Sequence, residues 1–161
     1  MARFNKKRGK HIVHGAEPQE GKGVRREHDP SRSDHLTIAW RLSRFDWDGP
    51  WGVGAFDGCD FVDLLRTWGA AFEKQTWAEA FQGAGGRRAG NNNHPIKVER
   101  LSSQAQRRLR DIAADDMDVV YSFRVSAKVR LYGIRDSRAF QVLWYDPWHD
   151  RENDGVCPST R

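Results

Sequence analysis

The sequence predicts an α+β protein whose core is an antiparallel β-meander with helices packed on one face. Two observations support this fold class. Apolar residues alternate with polar ones along several short segments, as in strands with one buried face, while others recur at helical spacing. The last three predicted strands are joined by connections too short for anything other than hairpins. Strands grouped in this way, with the helices separate from them, favour α+β architecture.

Residues 94–116 predict a short strand followed by a helix. Ile96 and Val98 alternate with polar residues, which is typical of a strand. Ser102 stands where a helix N-cap is expected, because its hydroxyl can accept a hydrogen bond from a free backbone N–H in the first turn. The apolar stripe of this helix consists of Ala105, Leu109 and Ile112.

Three strands are predicted after this helix, at residues 118–126, 129–136 and 139–147. The first alternates apolar and polar residues. The third is apolar on both parities, which is typical of a strand covered on both sides. Together with the preceding elements, residues 94–161 therefore have the order β-α-β-β-β.

Residues 34–93 predict a Trp-rich extension packed on this core. A strand is expected near residues 35–42, where alternate residues are apolar: Leu36, Ile38, Trp40 and Leu42. A helix with Asp60 as its cap is expected from the spacing of apolar residues after it. Thr76 and Glu79 form the pattern of a capping box, which predicts a second, shorter helix. Glycines and asparagines at 83–95 predict a loop.

Residues 1–33 form a basic tail. They contain nine Lys and Arg residues against four acidic ones, an excess that equals the net charge of +5 for all 161 residues. A polar, charged segment cannot bury itself, so we expect it to be disordered when alone and to neutralise nucleic-acid phosphates. The alternative is a solubilising leader without a partner. The residues predicted to contact nucleic acid in the tail are Lys6, Lys7, Arg8, Lys10, Arg25 and Arg26.

Composition argues against several other classes of protein. Cys59 and Cys157 are far apart and match no zinc or redox spacing, and the six histidines are widely spaced. We therefore predict no metal and no organic cofactor. No apolar run is long enough for a membrane span or a secretion signal, so the expected location is the cytoplasm.

The C-terminal part of the chain carries the segments "AQRRL", "FRVSAKVRLYGI" and "FQVLWYDPWHD". In this respect residues 94–161 resemble the RelE/ParE superfamily of bacterial toxins. The resemblance implies a compact RNase-like sheet. It also implies one of two activities, because the RelE branch cleaves mRNA in the ribosomal A site whereas the ParE branch poisons DNA gyrase.

The same resemblance implies a catalytic set of Arg124, Arg130 and His149. Arg124 and Arg130 match basic residues of the family's central strands, and His149 matches the residue that closes the next strand. Cys157 departs from the pattern, since it stands where the RelE branch often has a catalytic tyrosine. The identity of a general base is therefore open.

These residue types suit RNA cleavage by the RNA's own 2′-hydroxyl. Arginine offers forked donors to phosphate oxygens, and histidine transfers protons near neutral pH. Because neighbouring strands of a meander end together, we expect the three side chains at one edge of the sheet. Further nucleic-acid contacts are predicted at Lys128, Arg135, Trp148 and Arg151.

Each of these residues also has a purely structural interpretation. Arg124 and Arg130 suit the solvent face of an exposed strand, and His149 suits a turn. Trp148 follows Pro147 and suits either base stacking or core filling.

The predicted function is accordingly a ribosome-dependent mRNA endoribonuclease of a toxin–antitoxin system, with RNA or the ribosome and an antitoxin protein as partners. The alternative is a non-catalytic module that binds nucleic acid or a protein such as gyrase. A third interpretation makes the Trp-rich half a dimer or antitoxin interface.

Overall fold

A computed structural model of the chain describes residues 30–55, 58–82, 93–112, 116–149 and 155–158. Most of the predicted basic tail and most of the glycine-rich loop lie outside these ranges. So do seven residues predicted to contact nucleic acid: Lys6, Lys7, Arg8, Lys10, Arg25, Arg26 and Arg151.

The centre of the fold is a five-stranded sheet in the order β1-β5-β4-β3-β2. Its strands are β1 (Ala39–Arg41), β2 (His94–Lys97), β3 (Val119–Arg124), β4 (Arg130–Asp136) and β5 (Ala139–Asp146). The antiparallel meander predicted for β2 to β5 is confirmed. The sheet as a whole is mixed, however, because β1 lies parallel to β5.

The helices begin largely where the sequence predicts. They are α1 (Gly58–Leu64), which continues through a π-helical turn (Leu65–Gly69) into α2 (Ala70–Phe72), then α3 (Trp77–Phe81) and α4 (Ser103–Asp111). The capping box of α3 is confirmed, and the Ser102 hydroxyl caps α4 by accepting a hydrogen bond from the Ala105 N–H. The prediction that Asp60 is a cap is wrong, since α1 begins two residues earlier and Asp60 lies within its first turn.

Helices cover both faces of the sheet, so the prediction of helices on one face is wrong. On one side α4 packs on the α4-side cluster, which includes Val120, Ile134, Leu143 and Trp144. On the other side α1, α2 and α3 pack on the aromatic cluster, which includes Phe123, Leu131, Phe140 and Val142. Because β5 is apolar on both parities, each of its faces needs a cover to remove apolar surface from water.

A β-bulge between Tyr132 and Gly133 adapts β4 to β5. Tyr132 pairs with Trp144 and Gly133 pairs with Val142, so Leu143 is the extra residue. A Cβ atom on Gly133 would overlap the Gln141 carbonyl oxygen and the Phe140 ring. The bulge therefore requires glycine for close approach of the backbone, and it lets Leu143 and Trp144 enter the same cluster.

The buried carboxylate of Asp46 joins the Trp-rich segment to both α4 and β5. It accepts hydrogen bonds from Arg108 Nε at 2.9 Å and from Trp144 Nε1 at 3.1 Å, and it forms a second contact with Arg108 Nη2. The Asp46 N–H donates to the Leu143 carbonyl, and Trp51 O accepts from Tyr145 N–H. These bonds place the 46–51 segment alongside β5 beyond the end of β1.

Replacing Asp46 with Ala is expected to lower the free energy of unfolding by roughly 1.5–3 kcal/mol, because charge-assisted hydrogen bonds are lost and the buried Trp144 N–H keeps no acceptor there. Urea denaturation followed by tryptophan fluorescence measures this change. Asp48→Ala is the matched control, because Asp48 is exposed. Equal effects of the two substitutions would contradict the central role of Asp46.

Replacing Gly133 with Ala is expected to destabilise the protein by about 1–3 kcal/mol, because the added methyl group overlaps backbone that cannot move freely. Gly54→Ala is the control, since a Cβ atom there meets nothing within 4 Å. The control should be neutral or slightly stabilising. Thermal unfolding with the same midpoint for both variants would show that the bulge tolerates a side chain.

Candidate functional site

Two of the three predicted catalytic residues lie side by side at one end of the sheet. Arg124 of β3 pairs with Arg130 of β4, and Arg130 pairs with Asp146 of β5. His149 follows three residues later, and its N–H donates to the carbonyl of Lys128 at 3.2 Å. The structure therefore brings Arg124, Arg130 and His149 together at the end of the sheet where the 125–129 turn joins β3 to β4.

The two arginines are in different environments. Arg130 is only 6% exposed, and its Nη1 donates to the carbonyls of Ser126 at 2.7 Å and Val129 at 3.0 Å. Burial lowers its pKa, although the nearby Tyr132 and Asp146 act in the opposite direction. Arg124 is exposed, with its Nε donating to Ser126 O. Arg130 therefore holds the turn from inside, whereas Arg124 faces solvent.

Asp146 organises the segment that carries His149. Its fully buried carboxylate accepts from the Trp148 N–H at 2.8 Å and from the Val156 N–H at 2.9 Å. The side chain of Trp148 is half-buried and packs against the α4-side cluster. The turn that carries His149 is therefore held in two ways: Asp146 binds its backbone, and the Trp148 indole packs against the α4-side cluster.

A buried phenol contacts the His149 ring. The Tyr132 hydroxyl lies 3.3 Å from His149 Nδ1. Burial raises the pKa of Tyr132 well above its usual range, and the nearby Cys157 and Asp146 act in the same direction. Burial also raises the pKa of Cys157 from its ordinary value of 9.0 to about 11. Both groups are therefore uncharged at neutral pH, and the imidazole is oriented by neutral neighbours.

His149 lines a cleft of about 490 Å³. We call it the histidine cleft, and its described lining residues are His94, Pro95, Ile96, Lys97, Arg100, His149, Cys157 and Pro158. These residues include two imidazoles and two cations but no carboxylate. The cleft is therefore suited to an anionic ligand of the size that protein pockets usually accept.

Sequence reasoning did not select His94, Lys97 or Arg100 as site residues. They come from β2 and the 3₁₀ turn after it (Val98–Arg100), which the alternation of Ile96 and Val98 marks only as a strand. The opposite wall depends on a long-range contact, in which the Ser102 N–H donates to the Val156 carbonyl. No local pattern indicates that residues 155–158 return to this place.

Arg135 is not part of this site. Its side chain is 7% exposed, and it pairs with Asp34 at 2.7 Å and donates to the Ser33 hydroxyl at 3.0 Å. The guanidinium also lies 4.3 Å from the Trp77 ring centre. Arg135 therefore attaches the N-terminal 3₁₀ turn (Pro30–Ser33) to the sheet, and its predicted contact with nucleic acid does not fit this burial.

Among the predicted residues that remain, Lys128 is exposed in the 125–129 turn and Trp148 is half-buried. Arg124 also borders a second hollow of about 370 Å³, whose other described lining residues are Trp68, Phe72, Gln75, Glu79 and Asn93. Beside this hollow Trp68 Nε1 donates a hydrogen bond to the Arg124 carbonyl. This bond joins the aromatic cluster to β3. None of its described lining residues is a histidine.

No family model, curated protein or solved structure matches this chain. The relationship to the RelE/ParE superfamily therefore stays a prediction. Within the described ranges, no group of three or more His, Cys, Asp or Glu side chains is placed to hold a metal ion, and no helix there is long and apolar enough to cross a bilayer.

Cys157 is expected to react slowly with iodoacetamide, because its raised pKa leaves little thiolate. At pH 8 the shift from 9.0 to about 11 reduces the thiolate fraction about 100-fold. The rate is measured in a Cys59→Ala background and compared with the same protein unfolded in urea. A folded protein that reacts as fast as the unfolded one would contradict the assignment of a neutral, buried thiol.

Proposed function

We propose that the protein is an RNA-directed endoribonuclease that acts in the histidine cleft. The observation that carries this proposal is that His149 shares the cleft with Lys97 and Arg100. An imidazole beside cations is the combination that phosphodiester cleavage requires, because protons must be transferred while negative charge grows on the phosphate.

The 2′-hydroxyl of the RNA supplies the nucleophile. A histidine takes its proton, the 2′-oxygen bonds to phosphorus, and the bond from phosphorus to the 5′-oxygen breaks as that oxygen takes up a proton from an acid in the cleft or from water. The products are a 2′,3′-cyclic phosphate and a 5′-hydroxyl end. Lys97 and Arg100 bind the phosphate oxygens and stabilise the charge that develops on them.

The edge of the sheet next to the cleft extends the contact with RNA. Arg124 and Lys128 are exposed there and bind further phosphates, which strengthens binding without reading sequence. Arg130 has a different role in this proposal. Its guanidinium holds the 125–129 turn, whose Lys128 carbonyl accepts from the His149 N–H, so Arg130 is a positioning residue.

Ribosome dependence and a toxin–antitoxin context belong to the same proposal. In a RelE-like role the cytoplasmic protein cleaves mRNA on the ribosome, and the basic tail adds contacts with RNA. The antitoxin then covers the histidine cleft and the neighbouring edge. The support for this context is the resemblance of residues 94–161 to RelE-like toxins.

A non-catalytic binding protein is the second candidate function, and a specific observation favours it. The neutral Cys157 thiol stands where the RelE branch often has a catalytic tyrosine, and Arg130 is directed toward backbone carbonyls. A cleft with this lining binds a phosphate even when it does not cleave it. Salt-dependent binding to RNA or gyrase without cleavage is the behaviour expected of that candidate.

His149→Ala is expected to slow RNA cleavage by roughly 10²–10⁴-fold, because one proton-transfer group is lost. Cleavage of a translated mRNA is mapped by primer extension with and without ribosomes. His35→Ala is the matched control, since His35 is an exposed histidine that does not line the cleft. The control should cleave like the wild type.

The outcomes separate the candidates. Cleavage only with ribosomes supports the RelE-like context. Cleavage without ribosomes supports the nuclease activity but contradicts ribosome dependence. A wild-type protein that never cleaves RNA would refute the nuclease and leave the binding protein. If His149→Ala cleaves RNA at the wild-type rate, the assignment of catalysis to His149 in the histidine cleft is wrong.

A further inference from the structure

We propose that His94 is the second proton-transfer group of the cleavage reaction and forms a catalytic pair with His149. This inference rests on the proposed function and deepens it, because it assigns a residue to the step that follows attack by the 2′-oxygen. The observation behind it is that both imidazoles line the same cleft, His94 from β2 and His149 from the turn after β5, and share it with two cations.

The register of the sheet places His94 on the correct face. His94 of β2 pairs with Ser122 of β3, and Ser122 pairs with Tyr132 of β4. Directly paired residues point to the same side of a sheet, so His94 and Tyr132 share a face. Tyr132 is the residue whose hydroxyl contacts His149, and two strand spacings, roughly 10 Å, separate it from His94. His94 and His149 therefore flank one space.

The residue before His94 fixes the start of β2. Asn93 is buried, its Nδ2 donates to the Ala80 carbonyl at 2.8 Å, and its Oδ1 accepts from the Arg124 N–H at 2.8 Å. Pro95 follows and restricts the backbone on the other side. The His94 imidazole is exposed, with its Nδ1 3.4 Å from the Pro95 carbonyl oxygen. An exposed ring is therefore carried on an anchored backbone, as substrate contact requires.

The charges around the pair suit a phosphate. Lys97 and Arg100 are exposed and line the cleft from the same stretch of chain as His94. Lys97 lies 3.7 Å from Glu99, but both side chains are more than 70% exposed, so this contact competes weakly with a phosphate. Cys157 and Tyr132 contribute no charge at neutral pH. Among the residues that the structure describes, a phosphodiester in the cleft therefore meets imidazoles and cations.

The reaction balances with these two groups alone. One imidazole, neutral at the start, accepts the proton of the 2′-hydroxyl as the bond from the 2′-oxygen to phosphorus forms. The other, protonated at the start, donates its proton to the 5′-oxygen as the bond from phosphorus to that oxygen breaks. Exchange of protons with water then restores both rings for the next turnover.

The first test compares four variants on an RNA that the wild type cleaves, presented on ribosomes if cleavage requires them. His94→Ala and His94→Gln are each expected to slow cleavage by roughly 10²–10⁴-fold, as His149→Ala does. His35→Ala is the control and should retain the wild-type rate. All variants should bind the same RNA with a 2′-deoxy nucleotide at the cleavage site as tightly as the wild type, which shows that the cleft is intact.

The second test assigns the two roles. The 5′-oxygen at the cleavage site is replaced by sulfur, a leaving group that departs without a proton. Loss of the general acid should then cost little, so one of His94→Ala and His149→Ala should regain a near wild-type rate while the other stays slow. Rescue of both variants, or of neither, would overturn the catalytic pair.

The outcomes also separate this inference from the function on which it rests. A wild-type protein that cleaves no RNA overturns the proposed function and the inference together. A wild-type protein that cleaves RNA, with His94→Gln at the same rate, overturns the inference alone and leaves His149 to act without His94.

Discussion

The buried carboxylate of Asp46 is the constraint on which the rest of the molecule depends. It lies in an irregular segment, yet it accepts hydrogen bonds from the Arg108 guanidinium of α4 and the Trp144 indole of β5 at the same time. The chain around it is built for this close approach, because a Cβ atom on Gly49 would overlap the Asp46 side chain. Since a buried carboxylate must be paired, Asp46 holds the 46–51 segment against both α4 and β5.

That arrangement determines the histidine cleft. At the start of α4 the Ser102 N–H donates to the Val156 carbonyl, and the Asp146 carboxylate accepts from the Val156 N–H. The segment 155–158 thereby forms a wall facing β2. Of the two buried acids, Asp46 holds α4 against β5, and Asp146 holds the turn that carries His149 and the segment that faces β2.

Much of the fold can be predicted from local patterns. The alternation along β2 to β5 and the caps at Ser102 and Thr76 indicate their elements because each depends on residues close in sequence. The position of β1 beside β5 depends on residues far apart, and so does the second layer of helices. The site divides in the same way. His149 follows a recognisable strand, whereas His94 joins it only through the register of three strands.

The pairing of β1 with β5 also bears on how the chain is made. Ala39 pairs with Ala139, so the first strand meets its partner only after about one hundred further residues have been synthesised. The hairpins of β3, β4 and β5 can form from neighbouring residues, but β1 must wait until β5 has been synthesised. A nascent chain therefore emerges with the Trp-rich segment uncovered until β5 is available to pair with β1.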